Sequence, residues 1–154
     1  MISINVLVDH AKWNSKITRR NFFFNRIIKY FPSRYRLKNK NVYLTFLLSN
    51  NKKIQKLNLK FRKKNKPTDI LSFPLNKKIG RKLYLGDIII SYQFINKPKF
   101  SNNLVFKKKL VRIFIHGFLH LLGYDHKKNK DYVKMNSEEN KIFNLVEDKI
   151  AKIN

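Results

Sequence analysis

The run Phe114-Ile115-His116-Gly117-Phe118-Leu119-His120-Leu121-Leu122-Gly123-Tyr124-Asp125-His126 carries three of the four histidines in the chain. His116 and His120 are spaced i, i+4. On a helix that spacing puts both imidazoles on one face, roughly 5–6 Å apart at Cβ. Two nitrogens so placed can share one zinc ion at about 2.0–2.1 Å each. Gly123 stops the helix, because glycine takes up the left-handed conformation that a helix end needs. Tyr124 and Asp125 carry the chain back, and His126 closes a third side of the ion. Three protein ligands leave one tetrahedral position open, as in a catalytic rather than a structural zinc site.

Working outward from that helix, Ser101 or Asn102 caps its start, and it runs from about Leu104 to Leu122. Upstream, Ile2–Val8 alternates apolar and polar residues and reads as a strand. Asn14 or Ser15 is expected to cap a helix over Lys16–Phe31, with Ile17, Phe24, Ile27, Ile28 and Phe31 as its apolar stripe, ended by Pro32. Asn41–Leu48 is β-branched and aromatic, a second strand. Ser49 or Asn50 caps a helix to about Phe61, with Ile54, Leu57, Asn58 and Phe61 on one side. Pro67–Asp69 is a turn, Ile70–Phe73 a short strand and Asn76–Lys82 a basic loop. Leu83–Ser91 is a longer strand, and Gly86 inside it signals a bulge or a close backbone approach. Tyr92–Phe100 reads as a turn or short helix around Pro98. Downstream, Asp131–Ile150 is amphipathic, with Val133, Ile142, Leu145, Val146 and Ile150 expected to be buried. The order β-α-β-α-β-β-α-α predicts an α+β fold over residues 1–154: a single domain, one small mixed sheet covered by helices, with the metal site at the end of a long central helix.

The chain has no cysteine, so any metal rests on histidines and carboxylates. No apolar run approaches the ~20 residues of a membrane span, and Met1–Asn5 does not read as a secretion signal. A soluble, cytoplasmic protein is expected. The formal charge of +26 favours a polyanionic partner such as RNA. Yet 27 of the 35 basic residues are Lys and there are 19 Asn. Codon drift in an AT-rich genome produces the same composition, so the charge permits RNA binding without proving it.

The spacing His-x3-His-x2-Gly-x2-His matches a metallopeptidase pattern except at one place. There the residue after the first histidine is a Glu that acts as general base; here it is Gly117. Such a site can hold zinc and polarise a bound water, but a peptidase of that class would lack its base. Asp125 either orients an imidazole or caps a turn. Met135 either packs under the ion or is an ordinary core residue. Arg62 lies at a helix end beside Lys63, Lys64 and Lys66. A guanidinium there can hold a phosphate bidentately, or be a solvated surface charge. Asp69 and Asp87 read as turn caps or lysine partners. Tyr84, Tyr92 and Phe100, set among lysines, are candidates for stacking on bases.

The stretch His116–His126 resembles the metal motif of the YbeY family of bacterial rRNA maturation factors. Leu57–Pro74 and Leu85–Ile90 resemble the same family, so that the likeness covers nearly the whole chain. The resemblance implies a metal-dependent, single-strand-specific endoribonuclease acting at the 3′ end of small-subunit rRNA and in ribosome quality control. It implies one Zn2+ per protomer on His116, His120 and His126, with Arg62 as a functional basic residue of the cleft. It also implies the small ribosomal subunit, a small-subunit ribosomal protein and an assembly GTPase as partners. The alternative is a non-catalytic RNA-binding assembly factor whose zinc is structural.

Overall fold

Alternating burial makes the sheet. In β1 (Ile2–Val8) the residues Ile2, Ile4 and Val6 are buried, while Ser3, Asn5 and Leu7 face out. In β2 (Val42–Ser49) Val42, Leu44, Phe46 and Leu48 turn inward. The two strands pair in parallel, Ile4 opposite Leu44. β2 pairs in parallel with β4 (Lys82–Ser91), and β3 (Ile70–Ile79) adds antiparallel at the edge, for a sheet order β1-β2-β4-β3. The mixed sheet matches the expected class. A computed structural model describes residues 1–99 and 102–153. Phe100 and Ser101, and with them the end of the expected Tyr92–Phe100 turn, lie outside the described residues.

Among the described residues five α-helices complete the fold: α1 (Arg20–Ile27), α2 (Asn51–Arg62), α3 (Tyr92–Ile95), α4 (Asn103–Leu121) and α5 (Asn129–Ile150). The expected caps form at Asn50, whose side chain accepts from the Lys53 N–H at 3.0 Å, and at Asn102, which accepts from the Leu104 N–H at 2.8 Å. α4 lies on the main core face of the sheet. Phe24 of α1, Phe46 of β2 and Phe114 of α4 meet with ring centroids 4.8–5.1 Å apart and are fully buried. Truncating one such Phe to Ala costs about 3–5 kcal/mol. α2 covers the opposite face, where Ile54, Leu71 and Ile89 form a second, smaller cluster.

Four expectations change. The helix expected over Lys16–Phe31 begins only at Arg20 and ends at Ile27, with 3-10 turns at Ala11–Ser15 and Ile28–Tyr30. Trp13 causes the late start: it is fully buried and donates from Nε1 to the Ser49 carbonyl at 2.8 Å, which holds its segment in a separate turn. The basic loop Asn76–Lys82 is instead a hairpin. β3 continues to Ile79 and turns through Gly80, at φ 58, into β4. Residues 74–79 are exposed, so backbone pairing alone carries this extension and no apolar alternation advertises it. Val133 and Leu145 of α5 are exposed, because the face against α4 runs through Met135, Glu138, Ile142, Val146 and Ile150. Phe61 is also exposed, at 56%.

Gly86 is both a bulge and a close approach. The β2–β4 register shifts beside it, and a Cβ there would stand 2.0 Å from the Phe73 carbonyl oxygen.

Candidate metal centre and its cleft

α4 ends as the sequence requires. Gly123 sits at φ 94; its N–H bonds the His120 carbonyl at 3.0 Å, and the Tyr124 N–H bonds the Leu119 carbonyl at 3.1 Å. This paired closure satisfies the last carbonyls of the helix. It also brings the Tyr124 carbonyl to 2.9 Å from His120 Nδ1. A carbonyl only accepts, so His120 carries its proton on Nδ1 and leaves Nε2 with a lone pair.

His116 is fixed the same way from another direction. Its Nδ1 lies 3.0 Å from Oε2 of Glu139 on α5. The carboxylate accepts, so Nε2 is again the free nitrogen. The two Nε2 atoms are 3.1 Å apart. Facing lone pairs at that distance suit a cation between them: tetrahedral ligands at about 2.0–2.1 Å stand roughly 3.3–3.4 Å from one another. His126 completes the set, its ring centroid 4.9 Å from that of His120 and 5.4 Å from that of His116. One nitrogen from each of the three lies within 4.8 Å of the others. These residues can hold one metal ion. Burial first, and then the neighbouring His116, lower the pKa of His120, which favours the neutral ring that a ligand must be.

Asp125 caps a turn. Its carboxylate accepts from the His126 backbone N–H at 2.7 Å, and this bond is the first reason its pKa falls below the usual carboxylate value. Lys127 stands 3.8 Å away. Asp69 likewise accepts from the Ile70 N–H and the Thr68 hydroxyl.

A cleft of about 720 Å³ opens beside the histidines, and its walls include His120, His126, Asp125, Ser72, Arg62, Lys64 and Lys127. Arg62 is the last residue of α2. Lys63 follows at φ 57, and the buried Asn58 side chain donates to the Lys66 carbonyl at 2.8 Å, so the loop folds back on its own helix. Lys63 and Lys66 share that loop but stand outside the cleft wall.

Gly117, where a peptidase would carry its base, faces the sheet. A Cβ there would stand 2.7 Å from Ile70 Cδ1 and 2.9 Å from Ile88 Cγ2. α4 sits this close to the sheet because the residue is glycine, and a glutamate has no room.

Of the expected stacking residues, Tyr92 is buried against Trp13, with centroids 5.2 Å apart, and is withdrawn from solvent. The Tyr84 ring stacks on Tyr43 at 4.7 Å; its hydroxyl donates to Asp87 and accepts from the Thr45 hydroxyl at 3.0 Å, and burial, then the Asp87 bond, push its pKa up to about 12. Phe100 is outside the described residues. Met135 is buried and lines a small pocket with His116 and His126.

Glu138 and Glu139 were not singled out from the sequence. Glu138 accepts from the Tyr35 hydroxyl at 2.6 Å and pairs with Arg34; the Tyr35 hydroxyl lies 3.0 Å from that of Tyr124. Adjacent glutamates of α5 thus tie down both His116 and the Tyr124 turn that orients His120. Their one signal in the sequence is rarity: the chain has only nine acidic residues.

Fold and site together define a single α+β domain with a three-histidine candidate metal centre at the end of its central helix. The family model described as Endoribonuclease YbeY matches residues 7–147. The Endoribonuclease YbeY of Pelagibacter ubique is 56% identical over 153 residues, covering 98% of this chain and all of that one. The protein of the same name from Buchnera aphidicola is 39% identical over 145 residues, covering 92% and 90%. The solution structure of TM1509 from Thermotoga maritima superposes with a TM-score of 0.57 at 27% identity, over 95% of this chain and 89% of that one. The chain belongs to the YbeY endoribonuclease family.

Proposed function

We propose that the chain is a zinc-dependent endoribonuclease that cuts single-stranded RNA, acting in small-subunit rRNA 3′ end maturation and in ribosome quality control. The observation that carries this reading is the shared cleft: two of the three clustered histidines line the same space as Arg62, Lys64 and Lys127. A set of three imidazoles suits zinc, one ion per protomer. When bound, such an ion acts as a Lewis acid and lowers the pKa of water. The chain's own residues do the rest. Glu139 and the Tyr124 carbonyl hold two imidazoles in one tautomer and one orientation. Arg62 binds and orients a non-bridging phosphate oxygen pair through its planar fork, and Lys64 and Lys127 hold flanking phosphates as point charges.

Family membership supports RNA as the substrate. The charge of +26 supports association with a polyanion such as rRNA; the small subunit, a small-subunit ribosomal protein, an assembly GTPase and the cytoplasm as the setting rest on the family resemblance of the sequence. Among the described residues no helix is long and apolar enough to cross a membrane.

The test is cleavage of an RNA strand, alone and in a perfect duplex, by metal-loaded, chelated and zinc-restored protein. The expected result is cutting of the single strand only, lost on chelation and regained with zinc. Equal cutting of strand and duplex, or cutting by metal-free protein, contradicts the proposal.

A further inference from the structure

We propose that a second pocket, on the α5 side of the histidines, receives one RNA base beside the scissile phosphate. This rests on the nuclease reading above and adds a base subsite to it. The pocket encloses about 230 Å³ between His116, His126, Tyr132, Met135, Asn136 and Glu139. His126 lines both this pocket and the Arg62 cleft, whereas His120 lines only the cleft and His116 only the pocket. The candidate metal centre therefore separates two spaces of different chemistry. The cleft has cations. Among the described residues that line the pocket there is no Lys or Arg, in a chain where 35 of 154 residues are basic. A phosphate has nothing to gain there; an uncharged heterocycle does.

The lining suits a base. Tyr132, Met135, Asn136 and Glu139 follow i, i+3, i+4, i+7 along one face of α5. The Tyr132 side is 56% exposed, and among the described residues its ring packs on no other ring. Met135 is buried and offers a polarisable thioether as a floor. Asn136 is exposed and carries both a donor and an acceptor for a base edge. Glu139 is committed to His116. A strand crossing the histidines thus places phosphates toward Arg62 and one flanking base against Tyr132.

The experiment uses a short single-stranded RNA whose cut position has been mapped with the metal-loaded wild type. A methylene group in place of the bridging oxygen at that position blocks cleavage whichever nucleophile attacks, and each flanking nucleotide in turn is made abasic. Dissociation constants come from fluorescence anisotropy, with cleavage of the unblocked strands as a second readout. For the wild type one of the two abasic strands binds about five- to tenfold more weakly, the worth of one stacked base. Tyr132→Ala binds the intact strand that much more weakly and no longer senses the missing base; Tyr132→Phe behaves as wild type. Metal content and circular dichroism stay unchanged, since Tyr132 is mostly solvent-facing. If the abasic strand that weakens wild-type binding weakens Tyr132→Ala by the same factor, or if neither abasic strand weakens wild-type binding, the base pocket is overturned and the nuclease reading stands. If the wild type neither binds nor cuts the strand, both fall.

Discussion

His116 Nδ1 stands 3.0 Å from Glu139 Oε2, a contact between α4 and α5 across 23 residues of sequence. It decides which nitrogen of His116 is free, and so which way the histidine cluster opens. A carboxylate behind a ligating imidazole typically accounts for 10–100-fold in metal affinity. Glu139→Gln is expected to lower zinc affinity by roughly that factor while the fold remains, read by competition with a chromophoric chelator. Unchanged affinity would mean the contact positions nothing.

Gly117→Ala is expected to destabilise the protein by roughly 1–3 kcal/mol, the usual cost of overpacking a well-filled core. The added methyl would meet Ile70 and Ile88 inside 3.0 Å. Gly117→Glu should be worse, and should confer no peptidase activity. Urea denaturation curves measure both. A variant as stable as wild type would show that α4 can lift away from the sheet at little cost.

Glu138 provides a pH-dependent contribution to stability. The Tyr35 hydroxyl bond, ahead of Lys141 and Arg34, holds its carboxyl below the ordinary value of 4.5 despite burial. Its folded pKa is depressed, so the stabilisation is complete above the unfolded value and is lost as pH falls through the folded one. The gap in stability between wild type and Glu138→Gln should therefore be full near pH 7 and shrink below about pH 4.5. A gap that does not vary between pH 7 and pH 3 would contradict the assignment. In the same network burial, then the Glu138 bond, push Tyr35 far above the usual tyrosine range, so it stays a donor throughout.

The charge of +26 has a focused part and a diffuse part, and they separate by salt. Arg62 lines the cleft, whereas Lys152 is an exposed residue beyond the end of α5. Arg62→Glu and Arg62→Lys should both slow cleavage at all ionic strengths, because a point charge cannot replace a planar fork. Lys152→Glu should weaken binding only at low salt, since charges beyond a Debye length of about 8 Å are screened at physiological ionic strength. Equal losses that vanish together as salt rises would make Arg62 one diffuse charge among many.

The metal motif was legible because it is local. His116 and His120 share one helix face, and Gly123 ends that helix within one turn of His120 and two of His116. Glu139 was not legible, because its role depends on how α5 packs against α4, and helix periodicity does not report that contact. Val133 and Leu145 misled for the same reason: they are apolar, but α5 turns the Met135–Ile150 stripe inward and leaves them in water. The hairpin through Gly80 escaped notice because an edge strand exposed on its outer half needs no alternating pattern. Arg62 was suggested by its company of lysines, but only the fold shows that Lys64 and Lys127, and not Lys63 or Lys66, share its cleft.

The most direct test measures metal content and single-turnover cleavage of single-stranded RNA side by side for wild type, His120→Ala and Arg62→Glu. His120→Ala should lose both the zinc and the activity. Arg62→Glu should keep about one zinc per chain, because it is no ligand, yet cut far more slowly. Wild-type cleavage by zinc-free His120→Ala would contradict the account.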